Sequence, residues 1–252
     1  MVVKDVYFTY FLAAFFGLAA VMYGVRLALQ GAARSERVGR IGGNLLVGRE
    51  VMDWTYWALD PIVRGLAALG ITPNGLTWSA LVFGTGAGVA LAFGQWGLAT
   101  LLATLSTTCD ILDGQVARMT KSGSNKGELL DAVIDRYTEF AFLGGIALWF
   151  HDSPWRLALV LFALLASFMI SYTSAKAEAL QVTPPRGLMR RHERAVYLIV
   201  GIGLTSLFGD LLHDRFASLP DHSFALVGLF MVAVVGNVSA VTRLVRIGRA
   251  LE

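Results

Sequence analysis

The sequence predicts an all-α polytopic membrane protein: a six-helix transmembrane core, one extra N-terminal transmembrane helix and an interfacial amphipathic helix. Two observations support this prediction. Of the 252 residues, 56% are hydrophobic and only 15% are charged, whereas a soluble domain carries about 25% charged residues. The hydrophobic residues also form long runs without the alternation of a transmembrane β-barrel. Such runs are expected to be helices, because a helix satisfies its own backbone hydrogen bonds in lipid.

The first hydrophobic run covers residues 6–25 and contains no charged residue. It is long enough to span a membrane. Arg26 and Arg34 follow it where a signal peptide would have a cleavage site with small residues, so we interpret it as a retained helix. We therefore divide the chain into residues 1–48, the first helix and a basic linker, and residues 49–252, the main domain.

A different pattern precedes the next span. Residues 49–69 mix apolar and aromatic side chains with Asp53, Asp60 and Arg64. Because tryptophan and tyrosine favour the headgroup region, we expect an amphipathic helix along the membrane interface. Gly70 should end it, and Pro73 is suited to the first turn of the following helix.

Six further hydrophobic runs predict the transmembrane helices of the main domain, within residues 73–247. They cover approximately residues 77–93, 98–119, 129–150, 155–180, 195–208 and 224–244. Lys and Arg concentrate in the loops on one side of these spans and in the C-terminal segment. The positive-inside rule then predicts that this side, and the C-terminus, face the cytoplasm of a cell membrane.

Four aspartates flank one of the loops on that side. Asp110 and Asp113 are three residues apart, so they share one face of their helix, and Asp131 and Asp135 are four apart on the next helix. A short loop should make these helices antiparallel neighbours, which would bring the four carboxylates together. An ionised aspartate in a membrane helix costs about 2.5–3.5 kcal/mol. This cost indicates a functional site rather than surface ion pairs.

Divalent cations would remove the repulsion between these carboxylates. Oxygen ligands favour Mg²⁺ or Mn²⁺, and two such ions can hold a diphosphate for in-line displacement. One carboxylate can then accept the proton of an attacking hydroxyl. The single cysteine, Cys109, excludes an internal disulfide and a multi-cysteine metal site.

The spacing of these residues resembles the signature of the CDP-alcohol phosphotransferases, D-x2-D-G-x2-A-R-x8-G-x3-D-x3-D. All fixed positions are matched, by Asp110, Asp113, Gly114, Ala117, Arg118, Gly127, Asp131 and Asp135. The segment Gly70-Ile71-Thr72-Pro73-Asn74 and Thr77 are similar to the family's entry into its first core helix. The resemblance covers about residues 61–249 and implies a phospholipid-synthesising transferase with six core helices that forms a homodimer.

The resemblance also implies roles for individual residues. Asp110, Asp113, Asp131 and Asp135 would bind two Mg²⁺ or Mn²⁺ ions, with Asp135 as the general base. The CDP moiety of CDP-diacylglycerol or a related CDP-lipid would contact Asn74, Thr77, Asp113, Gly114, Ala117, Arg118 and Gly127. A polar alcohol would accept the phosphatidyl group, and CMP would leave. No nucleic acid is expected as a partner.

A second segment bears on the acceptor. Residues 171–179 and 187–194 are similar to the S-Y-x-K-A-R-A-E and G-[FIL]-x-E-R-x-E-R segments of phosphatidylinositol-phosphate synthases. The resemblance implies an acceptor site formed by Ser174, Lys176, Arg191, Arg194 and Arg243. Ser174 stands where that family has a basic residue, and Lys176 stands where it has arginine. Inositol phosphate and inositol therefore both remain candidates, as do glycerol phosphate, serine and choline.

The competing hypothesis is an ion-coupled transporter, since acidic residues inside membranes also mark ion pathways. A transporter usually has paired halves and acids near the bilayer midplane. Here the acids cluster at the cytoplasmic ends of adjacent predicted helices, which favours the enzyme.

Overall fold

The computed structural model describes residues 5–31, 49–183, 187–216 and 219–252, and the described part consists of helices and short connections without strands. The helices, in chain order, are α1 (Val6–Gln30), α2 (Arg49–Ala68), α3 (Pro73–Ala92), α4 (Trp96–Met119), α5 (Asn125–Trp149), α6 (Pro154–Ala179), α7 (Arg191–Arg215) and α8 (Ser223–Leu251).

Each predicted span corresponds to one helix, and the prediction of an all-α membrane protein is confirmed. By length and hydropathy, α1, α3, α6 and α8 could each cross a membrane. The three other predicted spans, α4, α5 and α7, are of similar length, and their assignment as spans stays a prediction. The linker at residues 32–48 lies outside the described residues.

Helix α3 packs against both α4 and α5 and is the centre of the first group of helices. The contact with α5 depends on glycine, because a methyl group at Gly88 would collide with the backbone oxygen of Ala141, and one at Gly145 with the backbone of Gly88. Small residues allow this close packing between membrane helices.

Helices α4 and α5 correct one prediction. They were expected to be direct neighbours, but both pack on α3 and have little contact with each other. Residues 120–124 connect them, and α3 packs against both. The carboxylates on the two helices therefore approach each other through their side chains and not through close contact of the helix backbones.

Helices α6, α7 and α8 form the second group, in which α8 packs against both α6 and α7. Gly228 of α8 lies so close to α7 that a methyl group there would be 2.7 Å from the backbone oxygen of Tyr197. The two groups share one apolar core, which contains Leu91 and Leu143 from the first and Ile202 and Leu229 from the second.

The extra helix α1 is attached at its start and near its middle. At its start, Asp5 accepts a hydrogen bond from the backbone N–H of Leu98 at 2.8 Å and thereby caps α4. Further along, the Trp54 indole of α2 donates to the backbone oxygen of Ala19 at 3.2 Å. Helix α1 thus connects the amphipathic helix α2 to the core.

Candidate active site

The start of α3 positions the first site residues. Gly70 has φ 72°, a left-handed conformation that ends the preceding segment. Thr72 then caps α3 by accepting from the backbone N–H of Gly75 at 3.2 Å, with Pro73 in the first turn. Asn74 and Thr77 consequently lie in the first two turns of α3, beside α4 and α5.

Three of the four predicted aspartates meet. One carboxylate oxygen from each of Asp110, Asp113 and Asp131 lies within 4.8 Å of the others. We call these residues the carboxylate cluster. The Thr77 hydroxyl donates to Asp113 Oδ2 at 2.7 Å, inside the protein. This bond fixes the orientation of a carboxylate that is only 7% exposed.

Asp135 lies one turn beyond Asp131 on α5 and is also 7% exposed. It is not a member of the carboxylate cluster as the distances define it. Arg136 Nη1 lies 3.8 Å from Asp135 Oδ2. Asp135 thus lies next to the carboxylate cluster on α5 without belonging to it.

The carboxylate cluster fits a divalent metal ion. It offers three oxygen donors from buried or half-buried side chains, the ligand type that Mg²⁺ and Mn²⁺ prefer. The positive charge of an ion would also offset the mutual repulsion of the three carboxylates.

The residues expected to contact a nucleotide surround this cluster. A methyl group at Gly114 would lie 3.2 Å from Nη1 of Arg118, so the guanidinium lies close to the backbone of Gly114. Ala117, on the next turn of α4, is half-buried. Because glycine has no side chain, position 114 leaves the α4 backbone accessible to a ligand.

A second glycine lies at the start of α5. Ser124 caps this helix by accepting from the backbone N–H of Gly127 at 3.1 Å. A methyl group at Gly127 would be 3.4 Å from Asn74 Oδ1, so the N-termini of α3 and α5 approach each other here. Two helix N-termini beside a metal site favour a diphosphate, because their unpaired N–H groups attract negative charge.

Basic residues collect on the second group of helices. Arg243 of α8 donates from Nη1 to the Ser174 hydroxyl of α6, although the two residues are far apart in sequence. Arg194 of α7 is fully buried and forms an ion pair with Glu139 of α5, with Nη2 3.0 Å from Oε1. The structure therefore brings Ser174, Arg194 and Arg243 to one side of α5.

Two other predicted acceptor residues are placed differently. Lys176 is exposed and, two residues beyond Ser174, points away from it on α6. Arg191 begins α7, but its side chain lies outside the described residues. The described structure does not place either side chain with Ser174, Arg194 and Arg243.

Glu139 extends the row of acidic residues on α5. Asp131, Asp135 and Glu139 follow one another at intervals of four residues, so they lie on one face of the helix. At 1.5 Å per residue, Asp135 is about 6 Å from each of its two neighbours along the helix axis. Asp135 thus lies midway between the carboxylate cluster and the Arg194–Glu139 ion pair.

Two basic residues near the site were not among the predicted site residues. Arg136 lies beside Asp135, and Arg190 lies close enough to Arg243 for their charges to interact. The signal for Arg190 was its spacing of four residues from Arg194, which places the two on one face. An arginine that only anchors the helix at the cytoplasmic interface would show the same spacing.

Fold and site together define a helical integral membrane protein with a carboxylate site suited to a divalent metal. Residues 70–236 match the model of the CDP-alcohol phosphatidyltransferase family. The chain belongs to this family and is therefore a transferase of phospholipid synthesis.

Curated relatives give a narrower comparison. The chain is 38% identical over 156 residues to the phosphatidylinositol phosphate synthase of Corynebacterium glutamicum, covering 59% of this chain and 70% of the relative. It is 33% identical over 193 residues to the synthase of Mycobacterium tuberculosis, covering 73% and 82%.

Crystal structures of the Mycobacterium tuberculosis synthase have a similar fold. The CDP-DAG-bound form superposes with a TM-score of 0.62 at 27% identity, covering 74% of this chain and 92% of that one. The complex with manganese and citrate superposes with a TM-score of 0.64 at 27% identity, covering 75% and 88%. The family and these relatives support transfer of a phosphatidyl group from a CDP-lipid to an alcohol, with a divalent metal.

Proposed function

We propose that this protein transfers the phosphatidyl group of CDP-diacylglycerol to inositol phosphate or inositol, and releases CMP. The observation that carries the proposal is the arrangement along α5. The carboxylate cluster, Asp135 and the Arg194–Glu139 ion pair follow one another at intervals of about one helical turn. A metal-bound diphosphate and a polar acceptor could thus occupy adjacent positions.

Asp110, Asp113, Asp131 and Asp135 are the residues that would hold two Mg²⁺ or Mn²⁺ ions. When bound, such ions neutralise the diphosphate and polarise its phosphorus–oxygen bonds. Thr77 keeps Asp113 oriented through their 2.7 Å hydrogen bond, and hydrogen bonds that hold a metal ligand in place raise the affinity for the metal.

The nucleotide would lie over Gly114 and Ala117, where the α4 backbone is accessible, with Arg118 beside the diphosphate. Asn74 and Gly127 would complete this part of the site at the N-termini of α3 and α5. The helix dipoles would favour the negative charge of the diphosphate there.

Asp135 would act as the general base. The acceptor hydroxyl oxygen attacks the phosphorus that carries the diacylglycerol, and Asp135 accepts the hydroxyl proton. The bond from this phosphorus to the oxygen of CMP then breaks, and CMP leaves with the electron pair. Asp135 is buried beside the carboxylate cluster without belonging to it, and this position supports its role as the general base.

The cellular setting extends the proposal. The site would face the cytoplasm, which holds the soluble acceptor, and would lie at the inner leaflet, which holds the CDP-lipid. The domain of residues 49–252 would form a homodimer. The basic residues on the site side of the chain, such as Lys121 and Lys126, support this orientation.

The direct experiment is an assay of CMP release by the purified protein. CDP-diacylglycerol and Mg²⁺ or Mn²⁺ are supplied with inositol phosphate, inositol, glycerol phosphate, serine or choline in turn. We expect CMP and a new phospholipid with an inositol acceptor only. Release of CMP with another acceptor would replace the proposed acceptor, and no CMP with any of them would refute the proposed reaction.

A further inference from the structure

Arg190 is held at the edge of the acceptor site by three backbone contacts. Its N–H donates to Glu193 Oε2 at 2.7 Å, and its carbonyl oxygen accepts from the N–H of Arg194 at 3.2 Å. The preceding residue, Met189, donates its N–H to the Ser239 hydroxyl of α8 at 3.2 Å. Arg190 is thus fixed between the start of α7 and the turn of α8 that carries Arg243.

Arg190, Arg194 and Arg243 form what we call the arginine cluster. Arg190 and Arg194 both lie close enough to Arg243 for their charges to interact. Glu139 pairs with Arg194, and Glu193 accepts from the backbone N–H of Arg190. The three guanidinium groups repel one another, and an anion bound among them would reduce this repulsion.

Arg243 supplies a second observation that points to an anion. Its residue is 8% exposed, and its Nε is buried without a hydrogen-bond partner among the described residues. The side chain has no room to turn toward the loop, because a methyl group at Gly187 would be 2.5 Å from this Nε. A buried donor without a partner costs about 1–3 kcal/mol, which a bound acceptor oxygen would recover.

At two positions, the charges of this chain differ from those of the synthase segments that it resembles. Those segments have lysine at the position of Ser174 and glutamate at the position of Arg190. This chain lacks the first cation, and it has a cation where the second segment has an acid. The Ser174 hydroxyl instead accepts a hydrogen bond from Arg243.

We propose that Arg190 supplies the positive charge that Ser174 does not, and that the acceptor of this protein is therefore a phosphorylated polyol. This inference rests on the proposed function and deepens it at the same site. Arg190, Arg194 and Arg243 together bind the phosphate monoester. Arginine suits this task, because its guanidinium donates to phosphate oxygens in a fixed fork.

The test is a charge exchange between the two positions. Arg190→Glu should raise the KM for inositol phosphate at least tenfold, because a charge-assisted hydrogen bond is lost and a like charge faces the phosphate. The KM for CDP-diacylglycerol should change less than twofold. Adding Ser174→Lys to Arg190→Glu restores the charge pattern of the related segments, so the KM for inositol phosphate should fall back toward the original value.

Two further variants keep the test decisive if Arg190→Glu does not fold. Arg190→Lys retains the charge and should keep most of the affinity for inositol phosphate, whereas Arg190→Gln should lose it. The matched control is Arg249→Gln, which removes an exposed cation of α8 two turns beyond Arg243 and should leave every KM unchanged.

The outcomes separate this inference from the proposed function. If Arg190→Gln behaves like the Arg249→Gln control, or if Ser174→Lys fails to rescue Arg190→Glu, the role of Arg190 is refuted. If the unmodified protein uses inositol but not inositol phosphate, the inference fails while the proposed reaction stands. If it releases no CMP with any acceptor, the proposed function itself fails.

Discussion

The carboxylate cluster and the arginine cluster differ in how the chain builds them. The first comes from two helices joined by a short turn, and its residues lie within positions 110–131. The second comes from a loop and two helices, and its residues lie between positions 190 and 243. The acidic half therefore depends on local helix geometry, and the basic half depends on how α7 packs against α8.

This difference decides which half could be predicted from the sequence. Spacings of three and four residues place Asp110 with Asp113 and Asp131 with Asp135 on common helix faces, whatever surrounds them. No comparable local pattern joins Ser174 to Arg243. Their contact exists because α6 packs on α8, and glycines such as Gly236, next to Ala166, allow that approach.

The largest expected effect is on the acidic half, in Asp135→Asn. The amide cannot accept the hydroxyl proton, so turnover should fall by a factor of about 10²–10⁴. Binding of CDP-diacylglycerol should remain largely intact. CMP release and a direct lipid-binding measurement check the two statements.

The control for this variant is Asp152→Asn, which removes an exposed carboxylate paired with His151 near the start of α6. It should leave turnover unchanged. An Asp135→Asn protein that retains the turnover of the control would remove the general-base assignment.

The basic half should respond differently, in stability as well as in acceptor affinity. Arg194→Gln leaves Glu139 without its buried ion-pair partner, which should cost about 3–5 kcal/mol of stability. Glu139→Gln in the same protein should recover much of this loss, since both charges are then gone. Thermal unfolding in detergent measures the recovery.

Acceptor binding separates the structural and functional roles of Arg194. The double variant should fold but keep a raised KM for inositol phosphate, because the phosphate-binding cation is still missing. If the double variant also regains the original KM, Arg194 serves only the fold.

A smaller effect is expected at the connection between α3 and the carboxylate cluster. Thr77→Val keeps the shape of the side chain but removes the 2.7 Å hydrogen bond to Asp113. Losses of this kind lower metal affinity about tenfold. Titration with Mn²⁺ checks this. The control is Thr242→Val on α8, where the exposed hydroxyl bonds to the backbone oxygen of Val238. Equal affinities in the two variants would show that the Thr77–Asp113 bond has no part in metal binding.

Several features needed the structure because they arise from packing. The sequence predicted every helix and the place of Pro73 in the first turn of α3. It did not predict that α4 and α5 would both pack on α3 with little contact between them, that Lys176 would be exposed, or that Asp5 would cap α4. Each of these depends on which helix occupies a given position beside another, and helix periodicity does not contain that information.

The central claim is that the carboxylates of α4 and α5 bind divalent metal ions. Mn²⁺ binding to the purified protein, followed by electron paramagnetic resonance, tests it most directly. We predict two bound ions per chain and a loss of binding in Asp113→Asn, with the Asp152→Asn control unchanged. Equal Mn²⁺ binding in Asp113→Asn and in the unmodified protein would contradict the account.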